Sequence, residues 1–188
     1  MILAAIIFIV TFGCLGHFIY EWSGHKPWCG LIFATNESTW EHIKLTIYPT
    51  VLWAVFEGIR LGWTPSLLQA LAAALLTEMI LVPALFYSYT AVAGRNFLIT
   101  DIICFVISVV AGVLVFYKVL SLSPAAICTV ASIGIIAVVL AMYFRWTFHA
   151  PHNFLFRDPI SGGFGPQGHD CDEDFHGIHS KHNHKHNK

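Results

Sequence analysis

Asn36-Glu37-Ser38-Thr39-Trp40-Glu41-His42 is the stretch on which both the fold and the candidate site depend. Ser38-x-x-Glu41 is the pattern of a capping box. In that motif the Ser38 hydroxyl accepts from the backbone of Glu41, and the Glu41 side chain returns to the backbone of Ser38. Asn36 is a competing N-cap. The cap begins a helix without using Glu37 or His42, so an acid and an imidazole are left for another role.

The composition around this stretch is that of a membrane protein. Of the 188 residues, 56% are hydrophobic and 11% are charged, whereas soluble domains carry about 25% charged residues. The long apolar runs predict an all-α, polytopic membrane helix bundle, with the lipid bilayer as its partner. A net charge of −1 without a basic stripe argues against nucleic acid as a partner. Five scattered cysteines predict neither a disulfide framework nor a zinc ribbon.

The apolar runs predict about five transmembrane helices, at residues 2–20, about 39–60, 67–92, 97–117 and 124–148. The second has a short uninterrupted apolar core, so an interfacial helix is an alternative to a span. We expect it to span, with Lys44 and Arg60 snorkelling at its two ends. Pro49 should kink it and free a carbonyl one turn earlier.

Three regions follow from the change in composition along the chain. Residues 1–152 are predicted to form the transmembrane domain, and residues 153–168 an irregular segment rich in glycine and proline. Residues 169–188 are predicted to be a disordered tail with six histidines. Such a tail has the composition of a metal-binding segment, although any run of histidines binds transition metals to some degree.

Five spans place the ends of the first, third and fifth helices on one side, which also carries most of the lysines and arginines. The positive-inside rule then predicts a cell-membrane protein with the N-terminus outside and the C-terminus in the cytoplasm. The same face carries most of the ionisable side chains of the helices: His17, Glu21, Glu37, His42, Asp101, His149 and His152. Glu78 lies deeper.

The histidines and acids of this face are candidate metal ligands. His17 and Glu21 are four residues apart and share one side of their helix. Zinc takes His, Cys and carboxylate ligands, and a catalytic site keeps one position for water. We therefore predict a site, with zinc as its candidate ion, with Glu37 and Glu21 as catalytic carboxylates and four imidazole ligands: His17, His42, His149 and His152. Each cluster taken alone also has the alternative of an ordinary polar helix end.

Two further acids lie within predicted spans. Glu78 is near the middle of the third span and Asp101 near the start of the fourth. Ionisable groups at such depths are costly and usually face a protein interior or a water-filled cavity. A hydrogen bond to a neighbouring helix would explain Glu78, and a helix cap would explain Asp101.

Three classes of function remain open. The first is a metal-dependent hydrolase acting on a lipid or peptide at the cytoplasmic interface. The second is a small transporter or metal-handling protein in which Glu78 and Asp101 line a path, with Glu57 and Arg60 as the main polar groups of its outer half. The third is a membrane scaffold without catalysis.

Three pieces of the sequence carry a resemblance: Tyr20-Glu21-Trp22-Ser23-Gly24, the stretch from Asn36 to His42, and Phe148-His149-Ala150-Pro151-His152 with Asp158-Pro159. Together they resemble an uncharacterised family of small bacterial multi-span membrane proteins, a domain of unknown function. The resemblance covers residues 1 to about 160. It implies a location in the bacterial inner membrane and implies no activity.

Overall fold

The computed structural model describes residues 1–166, and helices account for most of this part of the chain. The histidine-rich tail predicted at residues 169–188 lies outside the described residues. The helices are α1 (Ile2–Trp22), α2 (Pro27–Gly30), α3 (Thr39–Leu61), α4 (Pro65–Ala93), α5 (Leu98–Leu120) and α6 (Ala126–Trp146). The prediction of an all-α bundle is therefore confirmed.

Four of these helices, α1, α4, α5 and α6, are long and apolar enough to cross a membrane, which makes this a membrane protein. The helix that was expected to be the second span, α3, is not among them. It has 23 residues, which correspond to about 34 Å at 1.5 Å per residue. Three of its four charged residues, Glu41, Lys44 and Glu57, are buried, and Arg60 near its end is exposed. Most of the charges that lower its hydropathy therefore face protein and not lipid.

Helix α3 runs antiparallel to α1 along most of its length. Near one end the rings of Phe8 and Trp53 lie 5.6 Å apart, and near the other end the rings of His17 and His42 also lie 5.6 Å apart. Contacts between α3 and α4 follow the same antiparallel order: Thr39 with Tyr87, and Thr50 with Glu78. Helix α3 therefore extends across the same thickness as its two apolar neighbours.

Pro49 explains why α1 approaches α3 so closely. Proline has no backbone N–H, so the carbonyl of Leu45 loses its partner within the helix, as expected from the sequence. Gly13 of α1 lies against this carbonyl, and a Cβ atom added to Gly13 would be 2.6 Å from the Leu45 oxygen. The glycine and the proline together allow close contact between the two backbones.

The start of α3 follows the capping prediction only in part. The Ser38 hydroxyl accepts from the backbone N–H of Glu41 at 3.4 Å. The Glu41 carboxylate does not return to Ser38, because it accepts from the backbone N–H of Thr35 at 2.8 Å and from Lys44 Nζ at 2.7 Å. Half of the predicted capping box is present, and its acid serves a buried ion pair.

The expectation that Lys44 snorkels to the interface is wrong, because its side chain is fully buried. Its ammonium group donates to Glu41, to the Gly30 carbonyl at 2.9 Å and to the Thr147 hydroxyl at 2.9 Å. All three protons therefore have acceptors, which is the condition under which a buried charge is tolerated. Lys44 therefore links the loop before α3, α3 itself and the end of α6.

Residues 153–166 fold back over the beginning of α3. Phe156 is buried, with its ring 4.7 Å from that of Trp40 and 5.5 Å from that of Trp146. The Trp40 backbone N–H donates to the carbonyl of Leu155 at 3.0 Å. We use "histidine face" for the end of the bundle at which α1 ends, α3 begins and this segment packs.

Candidate metal centre

His17, Glu37 and His42 come together at the histidine face. His17 Nε2 lies 3.2 Å from Glu37 Oε1, and His42 Nε2 lies 3.6 Å from Glu37 Oε2. One ligand atom from each residue falls within 4.8 Å of the other two, which makes these residues a group able to hold a metal ion. The structure thus brings together three of the residues that the sequence analysis selected.

The local structure explains how these side chains meet. His17 lies in the last turns of α1, and His42 lies in the first turn of α3, which packs antiparallel to α1. Glu37 precedes the N-cap, and its backbone N–H donates to Asp158 Oδ2 at 3.3 Å. The other Asp158 oxygen accepts from the backbone N–H of Ile160 at 2.7 Å. The segment after α6 therefore fixes the loop that presents Glu37.

His42 has the hydrogen bond expected of a metal-ligating imidazole. Its Nδ1 lies 3.0 Å from the carbonyl oxygen of Ser38, which can only accept, so Nδ1 carries the proton. A neutral His42 then presents the lone pair of Nε2 towards Glu37. A backbone carbonyl that receives the second ring N–H is the usual means by which proteins orient a histidine ligand.

The spacing of the ligand atoms is close to that around a tetrahedral ion. Bonds of about 2.0–2.2 Å to zinc place adjacent ligand atoms roughly 3.3–3.6 Å apart. His17 Nε2 and His42 Nε2 lie 3.2 Å and 3.6 Å from two different oxygens of Glu37, and a single ligand atom from each of the three residues lies within 4.8 Å of the other two. The first two distances also fit ion pairs without a metal.

The triad is partly exposed to solvent and adjoins a small cavity. The side chains of His17, Glu37 and His42 are 28%, 38% and 35% exposed. The adjoining cavity of about 20 Å³ is lined in part by His17, Glu37 and Glu21, and a space of that size holds about one water molecule. Glu21 therefore lies beside the triad, across a space suited to a water.

His149 and His152 do not join this group. Both are exposed, and the ring of His152 stacks on Phe164 at 4.4 Å. Helix α1 packs against α3 and α5, whereas α6 packs along α4, so His17 and His149 belong to helices that are not neighbours. The expectation that at least one of these two histidines approaches the triad is wrong.

The position of α3 explains why His149 lies away from His17. Successive residues of a helix are about 100° apart, so His42 and Lys44 point to nearly opposite sides of α3. His42 faces His17 of α1, and Lys44 faces Thr147 of α6. Helix α3 therefore separates the end of α1 from the end of α6.

The two intramembrane acids have different surroundings. Asp101 accepts from the Tyr89 hydroxyl and from the Asn96 amide, so it ties α5 to the end of α4. Glu78 is fully buried, and its Oε1 accepts from the Thr50 hydroxyl at 2.8 Å. Asp101 thus organises a turn, and Glu78 lies in the protein interior between helices.

Glu57, which the sequence places with Arg60 in the outer half of the bundle, is also fully buried. It accepts from both Arg60 Nε at 2.9 Å and Tyr117 of α5, and the Trp53 indole donates to the Tyr117 hydroxyl at 3.1 Å. The spacing of Glu57 and Arg60 predicts their i, i+3 contact. Nothing in the local sequence indicates the partner on α5.

Comparisons with known proteins supply a family and no activity. The sequence model described as "Family of unknown function (DUF6512)" matches residues 1–166. No curated protein matches the chain, and no solved structure matches it.

Proposed function

Because the chain belongs to the family of unknown function DUF6512, which brings no activity with it, we propose a function from the site itself. The protein is a membrane-embedded metal-binding protein that holds a divalent ion, zinc by preference, on His17, Glu37 and His42. The observation that carries this proposal is the convergence of their three ligand atoms within 4.8 Å. Two imidazoles and one carboxylate form a known ligand set of catalytic zinc.

The reaction class that this ligand set favours is hydrolysis. Three protein ligands leave a fourth position for water, and a bound zinc ion would lower the pKa of that water and polarise a carbonyl or phosphoryl group. Glu21, across the small cavity, is the candidate general base. Because that cavity holds only about one water, a lipid or peptide substrate would approach from the exposed side of the triad.

The proposal includes a location. The four apolar helices require a bilayer, and the resemblance found in the sequence points to a bacterial inner membrane. Most lysines and arginines lie at the histidine face or in the residues that follow it, which favours a cytoplasmic histidine face with the N-terminus outside. The site would then act on substrates reached from the cytoplasm.

Metal analysis of the purified protein tests the proposal directly. Because the tail histidines bind metals unspecifically, the six of them are first replaced by asparagine in the full chain. We expect this protein to bind one Zn²⁺ per chain. His17→Ala and His42→Ala should each weaken binding at least tenfold, whereas the matched controls His149→Ala and His152→Ala should leave it unchanged. Equal affinities in all four variants would refute the site.

A specific observation also favours the second class, a transporter. Buried carboxylates lie on or against α3 along its whole length, at Glu41, Glu78 and Glu57. The sequence places few polar groups in the half of the bundle beyond Glu78, but Glu57 is fully buried there and contacts Tyr117. The bundle interior therefore contains polar groups on both sides of Glu78, as a path for protons or a small ion requires.

Flux measurements separate the two functions. In liposomes that contain the purified protein, a transporter should carry Zn²⁺ or protons down an imposed gradient, and Glu78→Gln should abolish this flux. Asp101→Asn is the matched control, because Asp101 lies in the first turn of α5, where its contacts with Tyr89 and Asn96 give it a role in tying that helix to the end of α4. Absence of flux in the unmodified protein would rule out the transporter. Absence of both flux and bound metal would leave the scaffold.

A further inference from the structure

The two histidines of the triad differ in what their second ring nitrogen contacts. His42 Nδ1 lies 3.0 Å from the carbonyl oxygen of Ser38. His17 Nδ1 is buried and has no hydrogen-bond partner among the protein atoms. Because a metal-ligating imidazole almost always donates its other ring N–H to a carboxylate, a carbonyl or a water, His17 needs a partner that the described side chains do not supply.

A second buried polar atom without a partner lies in the same place. Thr35 is 2% exposed, and its Oγ1 makes no hydrogen bond. Five buried side-chain atoms within residues 1–166 share this property, and two of them, His17 Nδ1 and Thr35 Oγ1, belong to residues that line the small cavity beside the triad. Buried polar groups are nearly always paired with protein or with ordered water. The shared cavity therefore points to a shared partner.

The cavity has the size and the lining that one water molecule requires. Its volume is about 20 Å³, and a buried water occupies a site of this size when it has two to four polar partners. His17 and Thr35 supply two partners, and Glu21 and Glu37 line the same cavity with carboxylates that accept hydrogen bonds. A water both donates and accepts, so one molecule satisfies an imidazole, a hydroxyl and a carboxylate together.

The Thr35 hydroxyl is not used to hold the loop before α3. The backbone N–H of Thr35 donates to the Glu41 carboxylate at 2.8 Å. Its methyl group packs against Gly30, where an added Cβ atom would lie 2.8 Å from Thr35 Cγ2. Neither contact involves Oγ1. Exchanging the hydroxyl for a methyl group therefore keeps the contacts that position this residue and removes only its hydrogen-bonding atom.

We propose that the cavity binds one water that joins Thr35 Oγ1 to His17 Nδ1, which makes Thr35 a positioning residue for the ligand His17. This inference rests on the proposed metal site and adds how its first imidazole is oriented. The two histidines are then held by different means, His42 by a backbone carbonyl and His17 by a water. The reactive water of the proposed hydrolysis is a different molecule, which reaches the ion from the exposed side of the triad.

The test uses the full chain with the six tail histidines replaced by asparagine, and it compares three variants with that protein. Thr35→Val removes the hydroxyl, Thr35→Ser keeps it, and Thr11→Val makes the same exchange as the first at an exposed position of α1. Equilibrium dialysis gives the Zn²⁺ affinity. Proton–nitrogen NMR of the histidine rings, with and without Zn²⁺, reports the hydrogen bonding of each Nδ1. His42 is the internal reference, because its partner is the Ser38 carbonyl.

Thr35→Val should weaken Zn²⁺ binding by about 10–100-fold and should shift the Nδ1 signal of His17 while that of His42 stays in place. Thr35→Ser and Thr11→Val should match the protein that carries neither change. An unshifted His17 signal in Thr35→Val, or equal shifts in both histidines, would overturn the inference. Zn²⁺ binding by the parent protein would then still support the proposed site. If the parent protein binds no Zn²⁺, the proposed site fails, and the metal-free spectra decide on the water by the same criterion.

Discussion

Replacing Lys44 by methionine should destabilise the protein severely, because Glu41 would keep its charge in a buried position. The carboxylate would retain the Thr35 N–H as a donor and would lose the ammonium group at 2.7 Å. The Thr147 hydroxyl would also lose its donor. Removing one partner of a buried ion pair costs about 3–5 kcal/mol, which corresponds to at least a hundredfold change in the unfolding equilibrium.

The measurement is denaturant unfolding of the detergent-solubilised protein, followed by tryptophan fluorescence. Lys26→Met is the matched control, because Lys26 is exposed and its loss should change the unfolding free energy by less than about 0.5 kcal/mol. The double variant Glu41→Gln with Lys44→Met removes both charges and should be more stable than Lys44→Met alone. If Lys44→Met were no more destabilising than Lys26→Met, the description of Lys44 as a buried, fully paired charge would be refuted.

Two further predictions concern the interior and the site. Gly112→Ala should cost about 1–3 kcal/mol by overpacking, since the added Cβ would lie 2.5 Å from Glu78 Oε1. Gly134→Ala meets open space inside α6 and should not destabilise the protein in the same unfolding assay, because alanine is the better helix former. Asp158→Ala should weaken Zn²⁺ binding by about 10–100-fold in a dialysis titration, because Asp158 holds the backbone of Glu37; unchanged affinity would show that Glu37 is positioned without it.

Helix positions were predictable from the sequence because they depend on local patterns. Apolar runs, the Ser38 cap and the proline and glycine punctuation locate α1 and α3–α6 to within a few residues. The environment of α3 was not predictable in this way. Lys44 near a helix end has the pattern of a snorkelling residue, and its acceptor Thr147 is 103 residues further along the chain. No local signal connects them.

The candidate site likewise contains contacts that the local sequence predicts and others that it does not. His17 lies near the end of α1 and His42 near the start of α3, the next long helix along the chain, and antiparallel packing of consecutive helices brings such ends together. Their meeting at Glu37 could therefore be predicted. The position of His149 depends on the order of helices around the bundle, which hydropathy does not contain. The role of Asp158 was missed too, although an Asp before a proline is a common signal of a turn that binds backbone N–H groups.

The buried charges of α3 have a consequence for the biogenesis of the protein. A helix that carries Glu41, Lys44 and Glu57 is a poor substrate for insertion by itself, because charged residues oppose transfer from the translocon into lipid. Two of the groups that satisfy these charges, Tyr117 for Glu57 and Thr147 for Lys44, are synthesised after it. We therefore expect α3 to remain at the translocon or the membrane surface until α5 and α6 have been made. It would take its place in the bundle only once these later helices are present.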